Sequence, residues 1–219
     1  MSAQERPLRA DAERNRQAIV CAAGGVFARE GLAVTLEHVA EFAGVGVGTI
    51  YRRFPTIDDL AAAVLETKMT TYADRTEQAA EQAASEPWEA FRDFVLFMLE
   101  QQATDLAFSE MVVYPRAATE LFRSQIGRAF QASVQLIDTV KAAGAIRDDF
   151  DHSDLYLLLN ANAGVIRMAG RAAPQASSRL GQYLLQAFRH PDDDPLSPPP
   201  ASWARAVRPR PAVPKPRRP

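Results

Sequence analysis

The chain has 219 residues, with 25 Lys and Arg against 27 Asp and Glu, a formal net charge of −2 and 47% hydrophobic residues. That is the balance of a soluble globular protein with room for a sizeable core. Its single Cys excludes an internal disulfide framework and a multi-cysteine zinc site, and its near-neutral charge argues against coating nucleic acid non-specifically while allowing a local basic face. The N-terminus lacks the apolar core of a secretory signal. The longest apolar-leaning stretch, around Leu155 to Ile166, contains Asn160 and Asn162 and falls short of the roughly 20 residues that cross a bilayer. The expectation is a cytoplasmic protein with no membrane partner, no metal and no cofactor.

In chain order, Ile19, Ala22, Ala23, Val26 and Phe27 recur at spacings of three and four, the buried stripe of a helix that Gly31 stops. Cys21 lies in that pattern and is expected as a small core residue. Thr35 is a good N-cap for a second helix with Leu36, Val39, Ala40 and Ala43 inside. Gly44-Val45-Gly46 breaks it, and a short helix follows from about Val47 to Phe54. Pro55-Thr56 interrupts again, and Thr56 caps a long helix from Ile57 with Leu60, Val64, Leu65, Met69 and Tyr72 on its apolar side.

Pro87 opens a helix with a stripe of Trp88, Phe91, Phe94, Val95, Met98 and Leu99. Pro115 breaks or kinks a shorter helix after Met111 and Val112. Phe122, Ile126, Phe130, Val134, Ile137 and Val140 trace a long helix ended by Gly144. Asp151 or Ser153 caps the next, with Leu155, Leu158, Leu159, Asn162, Val165, Ile166 and Ala169. Pro174 separates that helix from a last one carrying Leu180, Tyr183, Leu184, Ala187 and Phe188. No segment alternates with period two, so the expected fold class is all-α. Ten of the 15 prolines fall in residues 191–219, which read as a disordered, partly extended tail. Its basic half could touch phosphates weakly; a plain solvated tail weighs more.

The informative stretch is Thr35 to Leu60, two short helices joined by a glycine turn, which is the helix-turn-helix plan. The second helix opens on Gly46-Val47-Gly48-Thr49, bare enough for backbone to approach DNA closely. Thr49 and Tyr51 offer hydroxyls to phosphates. Arg52 and Arg53 supply local positive charge, and the amides after Thr56 could hold a further phosphate. A helical hairpin in which Tyr51 and Phe54 merely pack fits the same spacing, although glycines so near a helix start would then only cost stability.

The run from Ala43 through Thr56, followed by Asp58-Asp59-Leu60, resembles the DNA-binding signature of TetR-family transcriptional regulators. Phe27-Ala28-Arg29-Glu30-Gly31 before it, and Thr35 with Val39-Ala40, match too. The specific match covers about residues 12 to 65; beyond that it is architectural. The resemblance implies a three-helix DNA-binding head at 10–56 after a flexible arm at 1–9. It implies a helical ligand-binding and dimerisation body at 57–190, ahead of the tail at 191–219. It implies a homodimer on a palindromic double-stranded operator, acting as a repressor released by a small apolar or amphipathic effector. Carried over by position, Thr49, Tyr51 and Arg53 meet phosphates, and Val47, Gly48 and Arg52 face base edges or the backbone beside them. Leu36 and Glu37 start the helix lying against the DNA backbone, and Thr35, Gly46 and Thr56 complete the set. Glu37 could accept from a cytosine amino group, or stand by, since phosphate repels it. Members usually place Lys or Arg where this chain has Ile57, so one phosphate contact is lost there; Arg53 replaces the commoner His or Tyr. An activator, or a helical interaction protein with a degenerate head, stays open.

In the body, Phe91, Phe94, Met98, Phe108, Met111, Tyr114, Phe122 and Phe130 are candidate walls of an apolar cavity, although such stripes are ordinary core more often. The resemblance puts the dimer interface on the last two helices. Leu155, Leu159, Asn162 and Ile166 on one, and Leu180, Leu184 and Phe188 on the other, suit that role. The small residues Ala161, Ala163, Gly164, Ala169 and Gly170 permit close approach. The enzyme class is disfavoured: His38, His152 and His190 stand in no recognisable catalytic spacing with a carboxylate or Cys, and phosphate-loop, H-E-x-x-H and G-x-S-x-G patterns are absent. The carboxylates Asp148, Asp149, Asp151 and Asp154 read better as a solvated, capped helix start than as a cation site.

Overall fold

A computed structural model describes residues 5–113, 120–189 and 194–200. Every regular element among them is helical: α1 Glu5–Glu30, α2 Leu36–Ala43, α3 Val47–Arg53, α4 Ile57–Gln82, α5 Pro87–Thr104, α6 Leu106–Val113, α7 Glu120–Ala142, α8 His152–Ala169 and α9 Ala173–Phe188, with a 3₁₀ turn at Gly170–Ala172. The all-α expectation holds. Tyr114, Pro115 and the tail beyond residue 200 lie outside the described residues.

Local chemistry sets most boundaries. Gly31 (φ 76°) and Gly144 (φ 65°) end their helices in the left-handed region. Asp151, rather than Ser153, caps α8, and Asp154 completes a reciprocal capping box with it. Three expectations need correction. α1 begins at Glu5, so residues 5–9 of the expected arm are helical. Pro174 sits inside the first turn of α9, where its missing N–H costs nothing; Gly170 (φ 54°) and the 3₁₀ turn separate α8 from α9. Cys21 is exposed, because Ile19, Ala23, Val26 and Phe27 already fill the buried arc of α1.

α4 crosses from the head into the body. Its Leu60 and Val64 belong to the same continuous apolar core as Ile19, Val39 and Ile50, so residue 57 is not a break in the packing. Farther along, the Arg128 guanidinium of α7 binds Glu77 (Nε to Oε1, 2.9 Å) and Asp74 (2.8 Å) of α4. Those bonds hold Arg128 above even the usual guanidinium pKa. Lys68 of α4 pairs with Asp105, ahead of α6. From α6, Glu110 reaches the head: it accepts the Leu32 N–H at 3.3 Å. A Cβ on Gly31 would stand 2.6 Å from the same carboxylate.

The body is built around α5. Phe91, Phe94 and Met98, with Phe108 and Phe122, are fully buried core. Phe130, another of the eight expected cavity residues, borders a cleft between α7 and α8; the Met111 side chain and Tyr114 lie outside the described residues. The large buried rings are what fills the space between α5 and its neighbours.

Four of the expected dimer residues turn inward, while Leu180 stays half-exposed and Leu184 is half-buried against the core. Leu155, Leu159, Asn162 and Ile166 are buried within their own chain. Asn162 Nδ2 donates to Gln102 Oε1 at 3.0 Å, and Gln102 Nε2 to the Leu159 carbonyl at 3.2 Å. Phe188 is half-buried against Phe91 and Phe150. The free face of α8 instead carries Leu157 (58% exposed), Ala161, Gly164, Val165 and Met168 (90% exposed), and α9 adds Leu180, Tyr183 and Ala187. α8 has two apolar stripes; periodicity gives their spacing, not which of them turns inward.

The α7–α8 loop holds the start of the tail. Arg147 donates from its backbone to the Phe188 carbonyl (2.9 Å) and from Nη2 to the Asp194 carbonyl (3.1 Å), and the Leu196 N–H donates to Asp149 Oδ2 (2.7 Å). Residues 194–200 have no regular structure, yet are fastened at these points. The Arg147 guanidinium and then the Leu196 amide hold the Asp149 carboxyl well below the usual carboxylate range. A depressed folded pKa stabilises above the unfolded carboxylate value of about 4 and is lost as pH falls through the folded one. Asp149→Asn is therefore expected to lower the melting midpoint at neutral pH, with the gap to wild type narrowing below about pH 4. A gap that stays constant into strong acid would contradict this.

Candidate nucleic-acid interface

The α2–α3 unit is set by its caps. Thr35 Oγ1 accepts the His38 N–H at 3.3 Å and starts α2. Gly44, at φ 65°, turns the chain while its N–H bonds back to Ala40 and Glu41. Gly46 caps α3 with its carbonyl, accepting Thr49 N–H at 2.8 Å and Ile50 N–H at 3.3 Å. Ile50 and Phe54 are buried and fix the phase of α3 on the core. That phase turns Val47, Gly48, Tyr51, Arg52 and Arg53 outward, with Thr49 half-buried at their edge.

These side chains are bonded to one another. Tyr51 donates its hydroxyl proton to Glu37 Oε1 at 2.6 Å, joining α3 to the first turn of α2. That bond holds the Glu37 carboxyl below its usual range and lifts the Tyr51 hydroxyl above its own. At neutral pH one is ionised and the other keeps its proton. Arg52 Nε donates to the Gly48 carbonyl at 3.2 Å, one turn back, and Nη2 lies 3.5 Å from Thr49 Oγ1. A cleft of about 460 Å³ separates α3 from α1, lined by Asp11, Ala12, Asn15, Thr49, Arg52 and Arg53.

Two expected contacts change character. Leu36 is 4% exposed, so its side chain anchors α2 and only its backbone faces outward. The Thr56 hydroxyl donates to Asp59 Oδ2 (2.7 Å) and accepts the Asp59 N–H (3.1 Å), a complete capping box. Its amides stand beside the carboxylates of Asp58 and Asp59, an unfavourable seat for phosphate. Asp11, Ala12 and Asn15 were not anticipated. Ala12, Asn15 and Arg16 continue the three-and-four spacing of the Ile19–Phe27 stripe, so their facing was readable; the loss of apolar character hid it. His38 Nε2 lies 3.0 Å from Glu30 Oε2, a surface pair between α2 and the end of α1. Among the described residues no three His, Cys, Asp or Glu side chains gather as metal ligands would, and no helix is long and apolar enough to cross a membrane.

Residues 19–64 match the family described as bacterial regulatory proteins, tetR family. That span runs from the Ile19 stripe through α2 and α3 into α4 as far as Val64, the head as the packing defines it. Residues 19–64 form a head of the TetR family. The TetR transcription regulatory protein from Mycobacterium vanbaalenii is 29% identical, over 84% of this chain and 100% of that one, with a TM-score of 0.52. Two further solved structures share the fold and are more distant in sequence. The fatty acid degradation regulator FadR from Bacillus halodurans is 20% identical, over 79% of this chain and 99% of that one, at a TM-score of 0.53. SmeT, the repressor of the Stenotrophomonas maltophilia multidrug efflux pump SmeDEF, is 17% identical, over 83% and 97%, at 0.53. SmeT has also been solved in complex with triclosan. No curated protein sequence matches the chain.

Proposed function

We propose that this chain is a TetR-family repressor that binds a two-fold symmetric operator as a homodimer and is released by a small molecule. Gly48 carries the DNA-binding part of that reading. Its backbone is ordinary helix, and a Cβ there would meet nothing within 4 Å. Nothing among the described residues asks for glycine in the exposed first turn of α3; close approach of a DNA backbone does. Around it, Val47 and Arg52 face the bases, Thr49, Tyr51 and Arg53 the phosphates, and Thr35, Glu37 and the backbone of Leu36 and Gly46 complete the surface. The working units are the head through Val64, the body to about residue 190, and the tail.

The free α8–α9 face would join two chains, in a corrected register through Leu157, Val165, Met168, Leu180 and Tyr183. For the effector, a cleft of about 340 Å³ lies between α7 and the start of α8, bordered by Phe130, Val134, Lys141 and His152. That volume lies within the range of small-molecule sites. α7 packs along α4, which enters the head, so a ligand favouring a different α7 position would respace the two heads. A hundredfold release requires ~2.8 kcal/mol of coupling.

Selection of bound duplexes from a random pool, then titration at several salt concentrations, tests the reading. A symmetric consensus is expected. Arg52→Ala should weaken binding to it by roughly ten- to a hundredfold, the range of one lost base-edge contact. Binding undiminished when Tyr51, Arg52 and Arg53 are all replaced by Ala would instead support an interaction protein with a degenerate head.

A further inference from the structure

One carboxylate stands in the middle of the surface that would face DNA. Glu37 is exposed in the first turn of α2, and the Tyr51 hydroxyl holds it from α3. Any role it has at DNA rests on the regulator reading. A carboxylate among phosphates is repelled, and an unengaged one would swing toward solvent. This one is tethered by a hydroxyl that is itself placed for DNA, so it is presented to the duplex and not withdrawn from it. An ionised carboxylate has sites for about four hydrogen bonds; the Tyr51 hydroxyl, its own backbone amide and the Thr35 side chain take part of them and leave capacity for a base.

The major groove offers such a group few partners. Guanine N7 and O6 and thymine O4 are acceptors and repel it; only the amino groups of cytosine and adenine donate. Adenine places its N7 acceptor beside that amino group, where it opposes the second carboxylate oxygen, whereas cytosine has no acceptor there. We propose that Glu37, oriented by Tyr51, is a specificity-determining residue that makes tight binding conditional on a cytosine in each half-site and rejects duplexes that lack it.

The test uses the full-length protein and the variants Glu37→Ala and Tyr51→Phe, each taken through duplex selection and titration. Wild type should select cytosine at one symmetric position per half-site. Replacing that base pair should weaken wild type by about tenfold, the discrimination of one base-edge contact. The same replacement should weaken Glu37→Ala by less than about twofold, and Glu37→Ala should bind random-sequence duplex more tightly than wild type, since one repulsive charge per head is gone. Tyr51→Phe, which removes the tether but keeps the ring, should blunt the cytosine preference. A purely structural role for Glu37 would shift all sequences alike and leave the base preference intact. A Glu37→Ala consensus identical to that of wild type, or a wild-type consensus without the cytosine, overturns the proposal alone. A wild-type protein that selects no duplex overturns the regulator reading with it.

Discussion

Replacing Leu157 and Met168 together by Glu is expected to leave the protomer folded, render it monomeric, and weaken operator binding by roughly a hundredfold or more. Both side chains are more than half exposed in the single chain, so their loss removes little of its own core. With Ala161, Gly164 and Val165 between them, they form one stripe along α8, beside Leu180 and Tyr183 of α9. Two such faces joined about a two-fold axis would bury that apolar surface in a four-helix arrangement with small residues at the crossing. The double variant brings four carboxylates to that crossing, where desolvation and like-charge repulsion oppose contact. Each head alone would then bind its half-site without the local concentration that its partner supplies. Light scattering on the purified variant and its titration against the selected operator check both halves. A variant that remains dimeric would remove this face from consideration.

Phe91→Ala is expected to destabilise the chain by about 3–5 kcal/mol and to lower its melting midpoint by roughly 10 °C. Phe91 is fully buried at the centre of a three-ring cluster. Its ring lies 5.7 Å from Phe150 and 6.3 Å from Phe188, which are themselves 4.9 Å apart, all edge-to-face. Truncation leaves a ring-sized void between α5, the α7–α8 loop and the end of α9, and the Arg147 bond to the Phe188 carbonyl opposes its collapse. Phe188→Ala, at a half-buried position, should cost clearly less. Calorimetry compares the two, and a Phe91→Ala penalty under about 1 kcal/mol would mean that the cluster repacks freely.

The head was legible because its signals are local. Thr35, Gly44, Thr56 and Pro55 are each matched to a cap or turn that needs no distant partner, and the helix order followed. The facing of α8 was not legible. Leu155, Leu159 and Ile166 form as good a stripe as Leu157, Val165 and Met168, and only contact with α5 and α9 decides between them. The body poses a related problem: Phe91, Phe94 and Met98 announce burial, and burial alone does not distinguish a wall from a filling. The Tyr51–Glu37 bond joins residues 14 positions apart on different helices, beyond the reach of periodicity. Leu36 and Thr56 also do structural work, one as a buried anchor of α2 and the other as the cap of α4, and only packing and cap geometry reveal it.

Glu110 bears on how such proteins could be recombined. Its carboxylate comes from the body, yet it closes the joint between α1 and α2 by taking the Leu32 N–H beneath Gly31. Leu60 and Val64 likewise complete the apolar floor of the head from within α4. A head transplanted onto a foreign body at residue 57 would arrive without its floor and with an unclosed joint. A junction beyond Val64 restores the floor. Only a recipient that presents an acid where Glu110 stands restores the joint, so compatibility between heads and bodies is written in α6 as well as in the helix that links them.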